Sequence, residues 1–143
     1  MNPLQRKAFV AARVLVALVF LANGFGIIPQ TQPAKELAEH GAPVALVPLF
    51  MFAARTIEIV GGFGLVLGIY PQIAAIAVIA FLVPATLVAH EFWRAVGTPA
   101  FALQLLQFLK NTAMTGGLLL IVATPNQPQL FPRSSRSKDR SST

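Results

Sequence analysis

Ionisable side chains interrupt stretches of this sequence that are otherwise apolar. Arg55 and Glu58 lie inside the apolar run 49–69, and Lys110 lies inside the run 101–124. Each such residue costs about 2.5–3.5 kcal/mol in a lipid environment unless it is paired or hydrated. Arg55 and Glu58 are three residues apart, so on a helix they share a face and can form an ion pair. Lys110 is the alternative partner for Glu58, because the two lie at similar depths on spans that run in the same direction. A carboxyl group in this setting can also transfer protons, which makes these positions the first candidates for chemistry.

Further polar residues fall at helical spacing at a similar depth. Gln104, Gln107, Asn111 and Thr115 are three or four residues apart, which places them on one face of a helix. Two interpretations of the polar set stay open. In one, the side chains line a pocket open to the outside; in the other, they form a network that holds apolar helices together. The candidate pocket residues are Asn23, Arg55, Glu58, His90, Glu91, Gln107, Lys110 and Asn111.

Several kinds of site are excluded by the sequence itself. It contains no cysteine, which rules out disulfides, thiolate metal ligands and iron–sulfur clusters held by this chain. A haem held by two histidines would need both His40 and His90, and His40 lies in a polar stretch. No nucleotide-binding, serine-hydrolase or zinc-protease motif occurs. We therefore predict no metal site, and no cofactor is evident from the side chains.

The segments that carry these residues have the composition of a membrane protein. Of 143 residues, 55% are hydrophobic and only 11% are charged, whereas soluble domains average about 25% charged residues. A helix needs about 20 apolar residues to cross a bilayer core. Four segments approach that length, at about 8–28, 49–69, 73–89 and 101–124. Because backbone polar groups must be satisfied within the bilayer, the prediction is an all-α, four-helix transmembrane bundle.

The connections between these spans indicate a single membrane domain. A polar, proline-containing loop follows the first span, and only Tyr70, Pro71 and Gln72 separate the second span from the third. So short a link makes these two helices antiparallel neighbours. We predict one domain over residues 8–124. Residues 125–143 are basic and rich in proline and serine, and we predict that they form a disordered tail.

The positions of lysine and arginine predict the orientation. Six of the eleven lie near the two chain ends, whereas the loop 29–48 carries only Lys35 and the loop 90–100 only Arg94. Basic residues favour the cytoplasmic side, so both termini are predicted to be cytoplasmic in a multi-pass protein of the plasma (inner) membrane. The same distribution accounts for the net charge of +6 without nucleic acid as a partner. Arg13, within the first span, is expected to extend its side chain to this interface.

A cleaved signal peptide at the N-terminus is a competing interpretation of the first span. Arg6 and Lys7 precede an apolar run, and Ala22-Asn23-Gly24 has some of the form of a cleavage site. The run is longer than the usual 7–15 residues, however, and it contains Arg13. A transmembrane helix is therefore the favoured interpretation.

Glycines at helical spacing predict close helix packing. The segment from Gly64 to Gly68 is a G-x-x-x-G motif in an apolar span, a pattern that lets two helices approach closely. Packing within the chain is favoured over packing between copies, because three further helices are available. The predicted packing positions are Gly61, Gly62, Gly64, Gly68, Gly116 and Gly117.

Taken in order along the chain, these motifs resemble the DoxX-like family of small four-helix membrane proteins, and the resemblance covers about residues 8–124. The segments that carry it are Arg13, Phe20-Leu21-Ala22-Asn23-Gly24, Gly41-Ala42-Pro43, Glu58-Ile59-Val60-Gly61-Gly62, Gly64-Leu65-Val66-Leu67-Gly68, Ala74-Ala75, His90, Asn111 and Gly116-Gly117. The chain departs from the family pattern at Gln72, where a basic residue is frequent. It departs again at 125–128, where a glycine-rich ending toward Ser-Leu-Asp is frequent. Because of these two departures, the sequence does not assign the chain to a particular subfamily.

The resemblance implies a role in membrane redox processes. Family members are linked to quinol oxidase or thiosulfate:quinone oxidoreductase complexes, or to assemblies that respond to oxidative or thiol stress. The expectation is an accessory subunit, not catalytic on its own, with redox enzymes and the lipid bilayer as partners. A first alternative is a quinone-reducing enzyme in which Glu58 or His90 handles protons, with quinone as its ligand. A second is a carrier or channel in which Arg55 and Lys110 attract a small solute. The oligomeric state is not predicted.

Overall fold

The structure, a computed structural model, describes residues 1–28, 33–125 and 127–129. These residues form five α-helices: α1 (Pro3–Gly24), α2 (Pro33–Glu39), α3 (Val47–Leu67), α4 (Pro71–Ala89) and α5 (Phe101–Ala123). Short 3₁₀ turns lie at Val44–Leu46 and Phe92–Arg94. Helices α1, α3, α4 and α5 have the length and apolar composition to cross a membrane. The predicted all-α fold with four transmembrane helices is therefore confirmed.

The first helix begins and ends earlier than its apolar run. The run was expected to be helical over 8–28, but α1 begins at Pro3. Asn2 caps it: its side-chain Oδ1 accepts from the Gln5 N–H at 2.8 Å, and the Gln5 side chain accepts from the Asn2 N–H at 2.9 Å. This capping box makes the polar residues before the run helical. The helix ends at Gly24 because the following residues turn, with Gly26 at a φ of 70°.

Glycines set the packing of α3 against its two neighbours. A Cβ atom added at Gly62 would lie 2.7 Å from Leu21 Cδ2 on α1, and one added at Gly61 would lie 2.5 Å from Val78 Cγ2 on α4. Neither position has room for a side chain. The backbone of α3 therefore packs directly against side chains of α1 and α4. Helix α3 therefore lies between α1 and α4 and is antiparallel to both.

The ring of four long helices is completed by α5. It packs along α4, and it meets α1 more sparsely, for example where Gly117 faces Val16. The core inside this ring is apolar, and its buried members are Ala17, Phe20, Leu65, Ala75, Val78, Leu82, Leu118 and Ile121. The outward faces are equally apolar: Leu15, Phe52, Val60, Ile73 and Leu120 are each more than half exposed. A bundle that is apolar on both sides suits a lipid environment.

Because the chain has four spans, the start of α1 and the end of α5 lie at the same end of the bundle, here called the termini end. The turn 68–70 lies at this end as well. Helix α2 and the loop 90–100 lie at the opposite end, here called the loop end. Of the predicted tail, residues 126 and 130–143 lie outside the described residues, so the structure does not address their conformation. Pro128 is described and is buried against the bundle.

The orientation of the bundle can be checked with reporter fusions. Fusions at Thr143 and after Tyr70 should report the cytoplasm, because basic residues concentrate at the termini end. Fusions near Glu39 and Gly97 should report the outside. A cytoplasmic signal from the fusion near Glu39 would contradict the predicted orientation.

Candidate functional site

A carboxyl group is buried where α1 crosses α3. The side chain of Glu58 is 4% exposed. The crossing is close because Gly24 has no side chain: a Cβ atom there would lie 2.6 Å from Ile59 Cγ1 and 3.3 Å from Glu58 Cβ. The Asn23 side chain is placed to hydrogen-bond the Glu58 carboxyl group, and Arg55 acts on it through its charge. The structure thus brings Asn23, Arg55 and Glu58 together.

Lys110 does not join this group. It is exposed on α5, and no acidic side chain pairs with it among the residues that the structure describes. Of the two predicted partners of Glu58, Arg55 is the one that acts on it, and the described residues show no ion pair between Glu58 and Lys110, although the two were predicted to lie at a similar depth. Depth alone did not reveal that Glu58 turns inward beneath Gly24, whereas Lys110 lies on the outside of the bundle. Gln107, one turn before Lys110, is half-buried.

A third group of polar residues closes the loop end. Glu91 Oε2 accepts from Arg94 Nη1 at 2.8 Å and lies 3.1 Å from His40 Nε2. His40 follows α2, so this contact ties the first loop to the last one. His90 Nδ1 lies 3.2 Å from Gln104 Oε1 on α5. His90 and Glu91 are thus near each other but away from Glu58, which packs against α1.

Asn111 occupies a fourth position, between α4 and α5. It is 9% exposed, and its Nδ2 donates to Thr86 Oγ1 at 3.0 Å. The Thr86 hydroxyl in turn donates to the backbone carbonyl of Leu82 at 2.7 Å. Asn111 and Thr86 form the floor of a groove of about 140 Å³ on the outside of the bundle. Its other lining residues are Val83, Leu87, Phe108, Thr112 and Thr115.

Arg13 is buried at the termini end, which differs from its expected extension to the interface. Its side chain is 0% exposed and packs over Gly68, where a Cβ atom would lie 2.7 Å from Arg13 Nη2. Gly68 has a φ of 72°, which also favours glycine. Arg13 Nη1 donates to Gln127 Oε1 at 3.5 Å. Gln127, which follows α5, covers Arg13, and nothing in the sequence pattern had singled it out.

The glycines predicted to pack occupy different environments. Gly64 faces Ala74 on α4, with an added Cβ atom 2.9 Å from the Ala74 Cβ atom. Gly117 faces Val16, with room for a methyl group at 3.5 Å. Gly116 is exposed and has open space around it. The close contacts described above at Gly61, Gly62 and Gly68 all lie on α3 or at its end.

The eight candidate pocket residues therefore lie in several separate places. Three meet at the crossing of α1 and α3, two close the loop end, Asn111 lies under the groove, and Lys110 and Gln107 lie on α5. That any of them binds a ligand stays a prediction. Within the described part of the chain, no group of three or more His, Cys, Asp or Glu side chains could hold a metal ion. The arrangement can fix helices by buried polar contacts. Among the described residues it leaves Lys110 exposed on α5 without an ion pair.

Comparisons with known proteins agree with the architecture. The DoxX family model matches residues 8–91. A relative, "Inner membrane protein YphA" from Escherichia coli (strain K12), is 25% identical over 114 residues, which are 79% of this chain and 79% of the relative. No solved structure matches the chain.

Proposed function

The chain belongs to the DoxX family, and we propose that it is an accessory subunit of a redox assembly in the inner membrane. The location is supported by four membrane-spanning helices and by its similarity to an inner membrane protein. The redox role is supported by the family resemblance, which links such proteins to quinol oxidase and thiosulfate:quinone oxidoreductase complexes. The argument for a partner protein comes from Lys110, as follows from its position on α5.

The observation that carries this proposal is the exposure of Lys110. It is nine residues after the start of α5 and thirteen before its end, or about 14 and 20 Å along the helix at about 1.5 Å per residue. This places the Lys110 Cα atom near the middle of the span, where an unpaired charge costs about 2.5–3.5 kcal/mol. None of the three ion pairs among the described residues involves Lys110. A carboxylate on a neighbouring transmembrane helix would remove this cost.

An accessory role fits the chemistry of the side chains better than a catalytic one. The sequence has no cysteine to carry electrons. The two groups best suited to proton transfer, Glu58 and His90, lie on different helix pairs: Glu58 between α1 and α3, and His90 beside Gln104 on α5. Electrons would then be carried by a partner protein or by a quinone.

A quinone-linked role is the second candidate, and the groove over Asn111 favours it. The groove is apolar around a polar floor, and the Asn111 amide could donate a hydrogen bond to a quinone carbonyl. Ligand pockets usually measure about 300–1,000 Å³, so a groove of about 140 Å³ could hold only the head of such a molecule. The isoprenoid tail would remain in the lipid.

One experiment separates these roles. The chain is purified from its own membranes in a mild detergent, and bound proteins and quinones are identified by mass spectrometry. We expect a stoichiometric redox protein whose recovery falls at least tenfold in Lys110→Met, because tenfold is about 1.4 kcal/mol, less than the cost of an unpaired charge. Lys7→Met, which removes an exposed cation at the chain end, should leave recovery unchanged. Full retention of the protein by Lys110→Met would contradict the proposal, and a retained quinone without a protein would favour the second candidate.

A further inference from the structure

We propose that the termini end contains a site for the phosphate group of an anionic phospholipid, formed by Arg6, Arg13 and Gln127. This proposal does not depend on the accessory role, because it concerns the other end of the bundle from the polar loops. It also does not depend on Lys110. It begins from an arginine that is buried without a matching anion.

A cleft of about 550 Å³ lies beside the first turns of α1. Its lining residues are Met1, Arg6, Pro125, Gln127, Pro128 and Gln129. Their side chains include one cation and two amides but no acidic group. Such a lining suits an anion that accepts several hydrogen bonds.

Arg13 does not line this cleft but contacts a residue that does. Gln127 links the two, because its side chain lines the cleft and its Oε1 accepts from Arg13 Nη1 at 3.5 Å. That contact is long, and the other two nitrogens, Nε and Nη2, are buried without a hydrogen-bond partner among the described residues. A buried guanidinium group left largely unsatisfied is costly, so the arrangement calls for an oxygen-rich anion.

The spacing of the two arginines suits one phosphate-containing headgroup. Arg6 and Arg13 are seven residues apart, so they lie on the same face of α1 and about 10 Å apart along it at about 1.5 Å per residue. Arg6 lines the cleft and is exposed, whereas Arg13 is buried in the bundle behind Gln127. A phosphate group in the place of the Gln127 side chain would present one oxygen to Arg13 Nη1 and a second to Nη2, in the bidentate manner in which a guanidinium group binds phosphate.

Acidic side chains are distant from this site. Of the five in the sequence, Glu36 and Glu39 belong to α2 and Glu91 to the loop end. Glu58 is ten residues before Gly68 on α3, about 15 Å along the helix. The fifth, Asp139, lies outside the described residues. The cations at the termini end therefore lack a carboxylate within the described chain, and anionic lipids are the abundant anions at a membrane surface.

The test uses delipidated protein in a neutral detergent, with binding measured by native mass spectrometry. Phosphatidylglycerol, phosphatidylcholine and inorganic phosphate are added separately at matched concentrations. We expect phosphatidylglycerol to bind at least fivefold more tightly than phosphatidylcholine, and inorganic phosphate to compete weakly. Equal binding of the two lipids would overturn the proposal. Inorganic phosphate that binds as tightly as phosphatidylglycerol would also overturn it, in favour of a site for free phosphate.

Two neighbouring cations provide the matched comparison. Arg6→Gln should weaken phosphatidylglycerol binding at least fivefold, whereas Lys7→Gln, an equal loss of charge one residue away, should change it less than twofold. Equal effects of the two variants would show a diffuse attraction and contradict the site. Arg13→Met should also lose the preference for phosphatidylglycerol while retaining helical content; if Arg13→Met does not fold, the comparison of the Arg6 and Lys7 variants decides.

Discussion

Replacing Gly61 by leucine should destabilise the bundle by about 3 kcal/mol or more, the upper part of the range for overpacked sites. A Cβ atom at this position would lie 2.5 Å from Val78 Cγ2. Val78 is fully buried and its branched side chain has little freedom to move. The leucine can therefore be accommodated only if α3 and α4 separate. Equilibrium unfolding in mixed detergent micelles, followed by circular dichroism, measures the loss.

Gly116→Leu is the matched control for this prediction. Gly116 is also inside a membrane-spanning helix, but it is exposed and has open space around it. Its replacement should leave the free energy of unfolding unchanged or raise it by about 0.5–1 kcal/mol, because glycine is a poor helix former. Equal destabilisation by the two variants would show that the close contact at Gly61 is not a determinant of stability.

Replacing Glu58 by alanine should destabilise the protein by about 2–4 kcal/mol. The side chain is 4% exposed, so its removal leaves a cavity between α1 and α3. It also removes the acceptor that the half-buried Asn23 side chain faces, which adds part of the about 1–3 kcal/mol that an unsatisfied buried amide costs. Glu58→Gln retains the shape and an acceptor oxygen, so it should cost less than about 1 kcal/mol. The same unfolding measurement compares the two variants.

A double substitution tests whether Lys110 contributes to the environment of Glu58. Because Lys110 is exposed and pairs with no described acidic residue, Glu58→Ala and Lys110→Ala should be additive within about 0.5 kcal/mol. A coupling free energy above about 1 kcal/mol would show that the two side chains interact. Equal destabilisation by Glu58→Gln and Glu58→Ala would contradict the role given to Asn23.

The architecture could be predicted from the sequence because it follows from apolar length. Four runs of about 20 apolar residues in one chain have few alternatives to four spanning helices. Helix ends were harder to predict, because they depend on local hydrogen bonds. The capping box between Asn2 and Gln5 extends α1 beyond its apolar run, and the run itself gives no sign of this.

The arrangement of polar residues could be predicted only in part. Spacing along one helix shows which residues share a face, but not which helix that face meets. The inward position of Glu58 depends on the close approach at Gly24, and the burial of Arg13 depends on Gln127, which is distant in sequence. Lys110 was one of two predicted partners of Glu58, beside Arg55, because Lys110 and Glu58 lie at a similar depth. Its place on the outer surface instead follows from how α5 rotates to pack against α4.

Site-directed photo-crosslinking in native membranes tests the accessory role most directly. A photoreactive amino acid at Leu109, which is exposed beside Lys110, should form one defined adduct with a protein other than a second copy of this chain. The same group at Val60, exposed on α3, should react with lipid alone. The adduct at Leu109 should disappear when Lys110 is replaced by methionine. Lipid adducts at both positions, or a protein adduct that persists without Lys110, would contradict the account.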